Sequence, residues 1–167
     1  MGIEQVNERN SELNTWIESI TNEDTKLYIK NRVLKQMAFF SEKSRKSKSS
    51  YFKWMNTSII ISFLIPVISV FSDGSIIMKA VLAALGASIA AITSYLSIHN
   101  YKDLWETYRS VRENTYSLLL FYFTSSGIFA NKKQEDQDQL LIESCENIFR
   151  DEQKSWMSII SSTKDLL

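Results

Sequence analysis

Two long stretches of the chain carry no lysine, arginine, aspartate or glutamate: Trp54 to Ser72 and Ala80 to Tyr101. Each is roughly 20 residues, the length an α-helix needs to cross a hydrocarbon core of about 30 Å. A short connection holding Asp73, Gly74 and Lys79 separates them. Lipid offers no partners to backbone polar groups, so such segments must be helical. The pattern predicts a helical hairpin crossing a bilayer twice. The domain layout is a single unit: N-terminal cytoplasmic helices over 1–53, a first transmembrane helix over 54–72 and an external turn over 73–79. A second transmembrane helix over 80–101 continues into the cytoplasm over 102–126, and a last cytoplasmic helix spans 132–160.

Outside the hairpin the period of 3.6 residues recurs. Over 11–20, Leu13, Trp16, Ile17 and Ile20 fall at i, i+3, i+4 and i+7, an amphipathic helix. Thr21 and Asp24 have capping-box spacing, and a second helix starts near Asp24 with Leu27, Leu34, Met37 and Ala38 as its apolar side. No Gly or Pro interrupts residues 24–65, so this helix runs on into the first crossing. Beyond the second crossing, Tyr101, Leu104, Trp105, Tyr108, Val111, Thr115, Leu118, Leu119 and Tyr122 extend one apolar stripe without a break. Gly127 reads as the residue just past this helix. The last helix carries Leu141, Cys145, Ile148, Phe149, Trp156 and Ile159 on one side and begins acidic, which suits a helix N-terminus. The expected fold class is an all-α membrane protein: a two-span hairpin extended into a cytoplasmic antiparallel helical bundle.

Charge sets the orientation. Eight basic residues flank the outer ends of the hairpin: Lys43, Arg45, Lys46, Lys48, Lys53, Lys102, Arg109 and Arg112. The connecting turn has Lys79 alone. The positive-inside rule then puts both termini in the cytoplasm of a plasma (inner) membrane protein. The basic run 43–53 is read mainly as this topological signal; a site for anionic lipid or a phosphate ligand is its functional alternative. The first fifty residues are polar, so no cleavable signal peptide is expected ahead of the hairpin.

Composition narrows the chemistry. Net charge is zero, with 19 basic and 19 acidic residues, which gives no basic excess for nucleic acid. One cysteine and one histidine, Cys145 and His99, support neither an internal disulfide nor a usual zinc site. There is no Gly-rich phosphate loop and no nucleophile–base set. No enzyme, metal or other cofactor is expected.

The first crossing places Ser58, Ser62, Ser69 and Asp73 at i, i+4, i+11 and i+15, with Pro66 on the same stripe. Pro66 removes one backbone donor, so the carbonyl of Ser62 needs another partner. Two readings stand. The stripe lines a hydrated path with Asp73 at its outer mouth, as acidic rings do in cation channels; or the serines make helix hydrogen bonds and Asp73 caps the turn. The second crossing has three small-xxx-small series, Ala80-Ala84-Ser88, Ala83-Ala87-Ala91 and Gly86-Ala90-Ser94. Small residues let helices approach closely in lipid, which points to a homo-oligomer or to the hairpin's own seam. His99, Tyr101 and Trp105 sit where an interfacial aromatic belt lies.

A two-span hairpin with Ile65-Pro66-Val67 late in its first span resembles the SLATT family, two-transmembrane effectors found beside nucleotide-signalling genes. Trp105, Arg109 and Glu113 look like that family's Trp-x-x-x-Arg-x-x-x-Glu segment after the membrane, and Glu152 with Trp156 like its closing Glu-x-x-x-Trp. The resemblance covers about residues 25–160. It implies a pore-forming or ion-conducting effector in bacterial defence, answering to a cytoplasmic trigger or sensor protein. On the helix itself, Arg109 is placed to pair with Glu113 while Trp105 anchors at the interface. A membrane-anchored scaffold whose bundle docks a partner is the competing function, and a constitutive small ion channel is a third.

Overall fold

The computed structural model describes residues 12–71 and 74–164, with side chains to residue 158. Every regular element among them is helical. Helix α1 covers 12–18, α2 is Glu23–Tyr28, a π-helical turn follows at Ile29–Val33, and α3 is Leu34–Val70. After the connection come α4, Ile76–His99, and α5, Tyr101–Phe123. A 3₁₀ turn at Gly127–Phe129 leads to α6, Gln134–Lys164. The chain forms two compact units.

The first unit is Met1–Glu42 with Tyr108–Ser155. Its core is the apolar sides of α1, the π-turn, α5 and α6 and the start of α3. Leu13, Ile17, Ile29, Val33, Phe40, Leu119, Phe129, Leu141 and Cys145 are fully or almost fully buried, each large side chain contributing about 1.5–3 kcal/mol by leaving water. Phe40 is its aromatic centre, with Tyr108 at 6.1 Å and Phe149 at 6.0 Å. Tyr122 meets Asp138 at one end while Tyr108 and Phe149 flank Phe40 at the other. Helices α5 and α6 therefore run antiparallel.

Local chemistry corrects the expected boundaries in four places. The cap of α2 is Asn22, not Thr21: its Oδ1 accepts from the backbone N–H groups of Asp24 at 3.1 Å and Thr25 at 3.4 Å, as an Asn cap does well. The buried side of this region is Thr25, Ile29, Val33 and Phe40, whereas Leu27 is 60% exposed and Ala38 is exposed. Positions 25, 29, 33 and 40 share one helical face, opposite the side carrying Leu27 and Ala38, and the π-turn at Ile29–Val33 lies within it. The expected unbroken second helix is interrupted at Asn100, which has φ 45° and caps α4 in the left-handed region; asparagine tolerates that region better than most residues. Finally, Ser125 at φ 48° rather than Gly127 is the left-handed residue ending α5. Ser126 N–H donates to Phe121 O at 2.9 Å and Ser125 N–H to Tyr122 O at 3.1 Å, the two bonds of a Schellman closure.

The second unit is Lys43–Thr107 with Trp156–Leu167. It holds most of α3, all of α4 and the start of α5. Ser75, in extended backbone, caps α4 through its Oγ, which accepts from Met78 N–H at 3.3 Å. That cap starts the helix at Ile76, so Lys79 lies in the first turn of α4 rather than in the connection.

Candidate functional site

The pair of long apolar helices in the second unit is the feature that most sets this chain apart. Helical runs Glu23–Val70 and Ile76–Phe129 are long and apolar enough to cross a membrane. None of the most apolar 18-residue stretch of the first is buried, and 6% of that of the second is. Phe63 is 73% exposed, Val70 80%, Ile76 84% and Ile77 74%. Isolated exposed apolar residues are ordinary, but an uninterrupted apolar surface of this kind marks an interaction face.

Between the two helices the seam is bulky. Along the apolar part of α3 the less exposed positions are Thr57, Ser58, Ile61, Ile65 and Ile68; along α4 they are Met78, Leu82, Leu85, Ile89, Ile92 and Leu96. Each set follows helical spacing. Trp54 meets Tyr95 with ring centroids 5.3 Å apart, so the start of the apolar part of α3 pairs with the end of α4. The small residues lie elsewhere: Ala80, Ala83, Ala84, Gly86, Ala87, Ser88, Ala90, Ala91 and Ser94 are all exposed. A Cβ built on Gly86 would meet nothing within 4 Å. The hairpin's own packing therefore leaves the small-residue face uncovered.

On the first-span stripe, Ser58 is half-buried and Ser62, Pro66 and Ser69 are exposed; Asp73 lies outside the described residues. The Ser62 hydroxyl donates to the Ser58 carbonyl at 2.9 Å. Thr57, Ser88 and Thr93 likewise donate to carbonyls four residues back, at 2.8–2.9 Å. Such bonds satisfy a hydroxyl without water, which suits a helix in lipid.

Aromatic and basic side chains gather at one end of the hairpin. Tyr95, His99 and Tyr101 form a cluster, His99 lying 4.1 Å from Tyr95 and 5.3 Å from Tyr101 between ring centroids. Phe52 meets Trp105 edge-on at 6.1 Å, and the Lys48 ammonium lies over both rings. Trp156 is 41% exposed and makes no ring contact among the described residues.

The expected pairing of Arg109 with Glu113 does not form. Arg112 binds the Glu113 carboxylate and also donates to Ser41 Oγ at 3.4 Å. Arg109 is exposed and makes no ion pair among the described residues. Arg112, half-buried beside Glu113, takes the carboxylate instead, and Arg109 is left on the exposed side of α5.

Two polar clusters hold the first unit together, and the hydrophobic pattern gave little sign of them. Asp138, 5% exposed, accepts from Tyr122 OH at 2.5 Å, Asn22 Nδ2 at 2.7 Å and Gln134 Nε2 at 2.8 Å. It joins the ends of α2, α5 and α6. Burial alone would raise this carboxyl, but the hydrogen bonds from Tyr122, Gln134, Asn22 and Thr25 outweigh it and hold the group below the usual range. Burial and the Asp138 bond push the Tyr122 hydroxyl up, so it stays a donor. The available signal was an acid on an apolar stripe: Asp138, Leu141 and Cys145 stand at i, i+3 and i+7. In the second cluster Arg32 grips Glu146 with two bonds, at 3.0 and 3.1 Å, and Tyr28 OH donates to the same carboxylate at 3.0 Å. These bonds, Arg32's first, lower the Glu146 carboxyl. Burial, with Glu146 adjacent, raises the Cys145 thiol to about 12. Among the described residues no group of three or more His, Cys, Asp or Glu is arranged to hold a metal ion.

No curated protein and no solved structure matches the chain. A family model described as a protein of unknown function, DUF4231, matches residues 35–137. That span takes in both apolar helices, the aromatic and basic end of the hairpin and all of α5. The chain belongs to the DUF4231 family.

Proposed function

We propose that the protein is a homo-oligomeric, two-span membrane protein that conducts ions, an effector of the SLATT type. The observation that carries this reading is the exposure of the two apolar helices. A soluble core helix of that composition would be buried, because exposing a leucine-sized side chain to water costs about 1.5–3 kcal/mol. A bilayer removes the penalty for the whole surface at once. The aromatic belt at one end, with Trp54, Tyr95, Tyr101 and Trp105, matches the preference of such rings for a membrane interface. The excess of basic residues at that end supports both termini on the cytoplasmic side of the plasma membrane.

Self-association rests on the uncovered small-residue face of α4. Bulky side chains already fill the seam with α3, so the small positions from Ala80 to Ser94 are free to seat another copy. Repetition of the hairpin about an axis would bring several first-span stripes together, with Ser62 and Ser69 as its exposed hydroxyls. The family match over 35–137 contains the hairpin and the Trp105–Glu113 segment on which the SLATT resemblance stands. In that setting the first unit answers to a cytoplasmic trigger protein, and no chemical step on a substrate is involved.

A second reading has a specific observation behind it. Ser62 already spends its hydroxyl on Ser58 O, as a serine does in an inert anchor. The hairpin would then only tether a docking bundle. Reconstitution separates the two. The purified chain in nanodiscs should hold four or more copies by native mass spectrometry, and in liposomes it should dissipate an ion gradient. Ser62→Leu with Ser69→Leu should abolish flux while leaving the copy number unchanged. A monomer or dimer, or flux indifferent to both substitutions, would leave the anchor.

A further inference from the structure

We infer that the segment of α3 just ahead of its apolar stretch, together with Trp105, forms a binding site for the phosphate headgroup of an anionic phospholipid, with Lys48 as its central cation. The inference rests on the membrane reading above. Arg45, Lys48 and Phe52 recur at i, i+3 and i+7 and so share one face of α3; all three are exposed. The Lys48 Nζ lies 5.4 Å from the centre of the Trp105 ring and 5.9 Å from that of Phe52. The ledge beneath it is fixed from two sides. Phe52 and Trp105 meet edge-on, and Ser44 Oγ donates to the Trp105 carbonyl at 3.4 Å.

A cation held over ring faces keeps N–H donors for an anion on its open side. Arg45 adds a planar fork suited to phosphate one turn away. Neither Arg45 nor Lys48 forms an ion pair among the described residues, so no protein carboxylate competes for the position. The apolar surface farther along α3 decides the ligand. Phe52 is 43% exposed, Trp54 37%, Met55 39% and Ile59 43%. A free phosphate has no use for that surface, whereas a phospholipid brings a phosphate and acyl chains in one molecule. Zwitterionic lipids carry a compensating ammonium, so the charge balance selects an anionic headgroup.

The test is retention of phosphatidylglycerol against phosphatidylcholine of equal chain length on the full chain, by native mass spectrometry in mild detergent. Phosphatidylglycerol should be retained preferentially. Arg45→Ala and Lys48→Ala should each weaken that retention about fivefold, the effect of one basic residue at an anionic surface. Lys48→Arg should preserve it, and Lys133→Ala, an exposed lysine of the other unit, should leave it unchanged. Trp105→Leu keeps every charge: a diffuse basic surface would retain its preference, whereas this site loses it. Equal binding of the two lipids, or a preference untouched by Lys48→Ala, overturns the site. Alkaline carbonate extraction run beside it separates the two layers. A chain that washes off the membrane removes the membrane reading and the site together; a chain that stays inserted without the preference removes the site alone.

Discussion

Replacing Asp138 with alanine should loosen one end of the first unit more than any other single polar change. The bonds from Tyr122, Asn22 and Gln134 and that from Thr25 are lost. Hydrogen bonds to charged groups are worth about 1.5–3 kcal/mol each, and an orphaned buried donor costs about 1–3 kcal/mol. They do not add in full. Asn22 is exposed and Gln134 sits at the rim, so both regain water, while the Tyr122 hydroxyl, on a ring 4% exposed, loses its acceptor. The net expectation is about 3–4 kcal/mol, carried by the buried Tyr122 and Thr25 hydroxyls. Hydrogen exchange read on peptides covering 115–123 and 134–145 measures this locally, without assuming two-state unfolding of the chain. Exchange there should accelerate about a hundred- to thousandfold, with the hairpin unchanged. The pH dependence has a definite sign. The folded carboxyl lies below its unfolded value of about 3.9, so its contribution is complete above that pH and is lost as pH falls through the folded value. Asp138→Asn should remove this acid sensitivity. Acceleration below tenfold, or an acid response unaltered by Asp138→Asn, would refute the role given to this residue.

Arg32→Ala should cost only about 0.5–1 kcal/mol, because the pair with Glu146 is more than a third exposed and screened by solvent; a denaturant midpoint shift equivalent to about 3 kcal/mol or more would mean the pair is effectively buried. Cys145, buried with its thiol raised to about 12, should resist maleimide in the native protein and react once the bundle unfolds, and rapid native labelling seen by intact mass would contradict its placement. Asn100→Gly should be tolerated at φ 45°, whereas Asn100→Val should destabilise the α4–α5 junction by about 1–2 kcal/mol; equal thermal stability of the two variants would argue against the left-handed break. Gly86→Leu should leave helix content unchanged by circular dichroism, since nothing lies within 4 Å of a Cβ there, while lowering the copy number in nanodiscs; an unaltered copy number would move the self-association face elsewhere.

Much of the helical layout was legible because burial follows a single period. The stripe from Tyr108 to Tyr122 and the pair Leu13 and Ile17 were read from spacing, and they are buried. The π-turn at Ile29–Val33 was not legible, since one extra residue per turn leaves no signature in composition; the buried side was missed because Thr25 is polar, and the face it shares with Ile29, Val33 and Phe40 competes with the one carrying Leu27 and Ala38. Nor was the break at Asn100, because nothing in a continuous apolar stripe marks which polar residue will take a positive φ. The polar clusters were missed for a different reason. Asn22 and Asp138 are 116 positions apart, and a pairing across that distance depends on how helices fold back. The small residues of α4 were read as a packing face; in the structure they are exposed, and the bulky positions Leu82, Leu85, Ile89, Ile92 and Leu96 take the less exposed side instead.

Single-cysteine accessibility in intact cells tests the two-span claim most directly. On a Cys145→Ala background, Lys79→Cys at the α3–α4 end and Lys133→Cys before α6 would each be treated with a membrane-impermeant maleimide. A hairpin that crosses the bilayer twice with both termini inside gives labelling at position 79 from outside, and none at 133 until the membrane is opened. Labelling of neither position before lysis, with the protein recovered in the soluble fraction, would contradict the crossing and everything built on it.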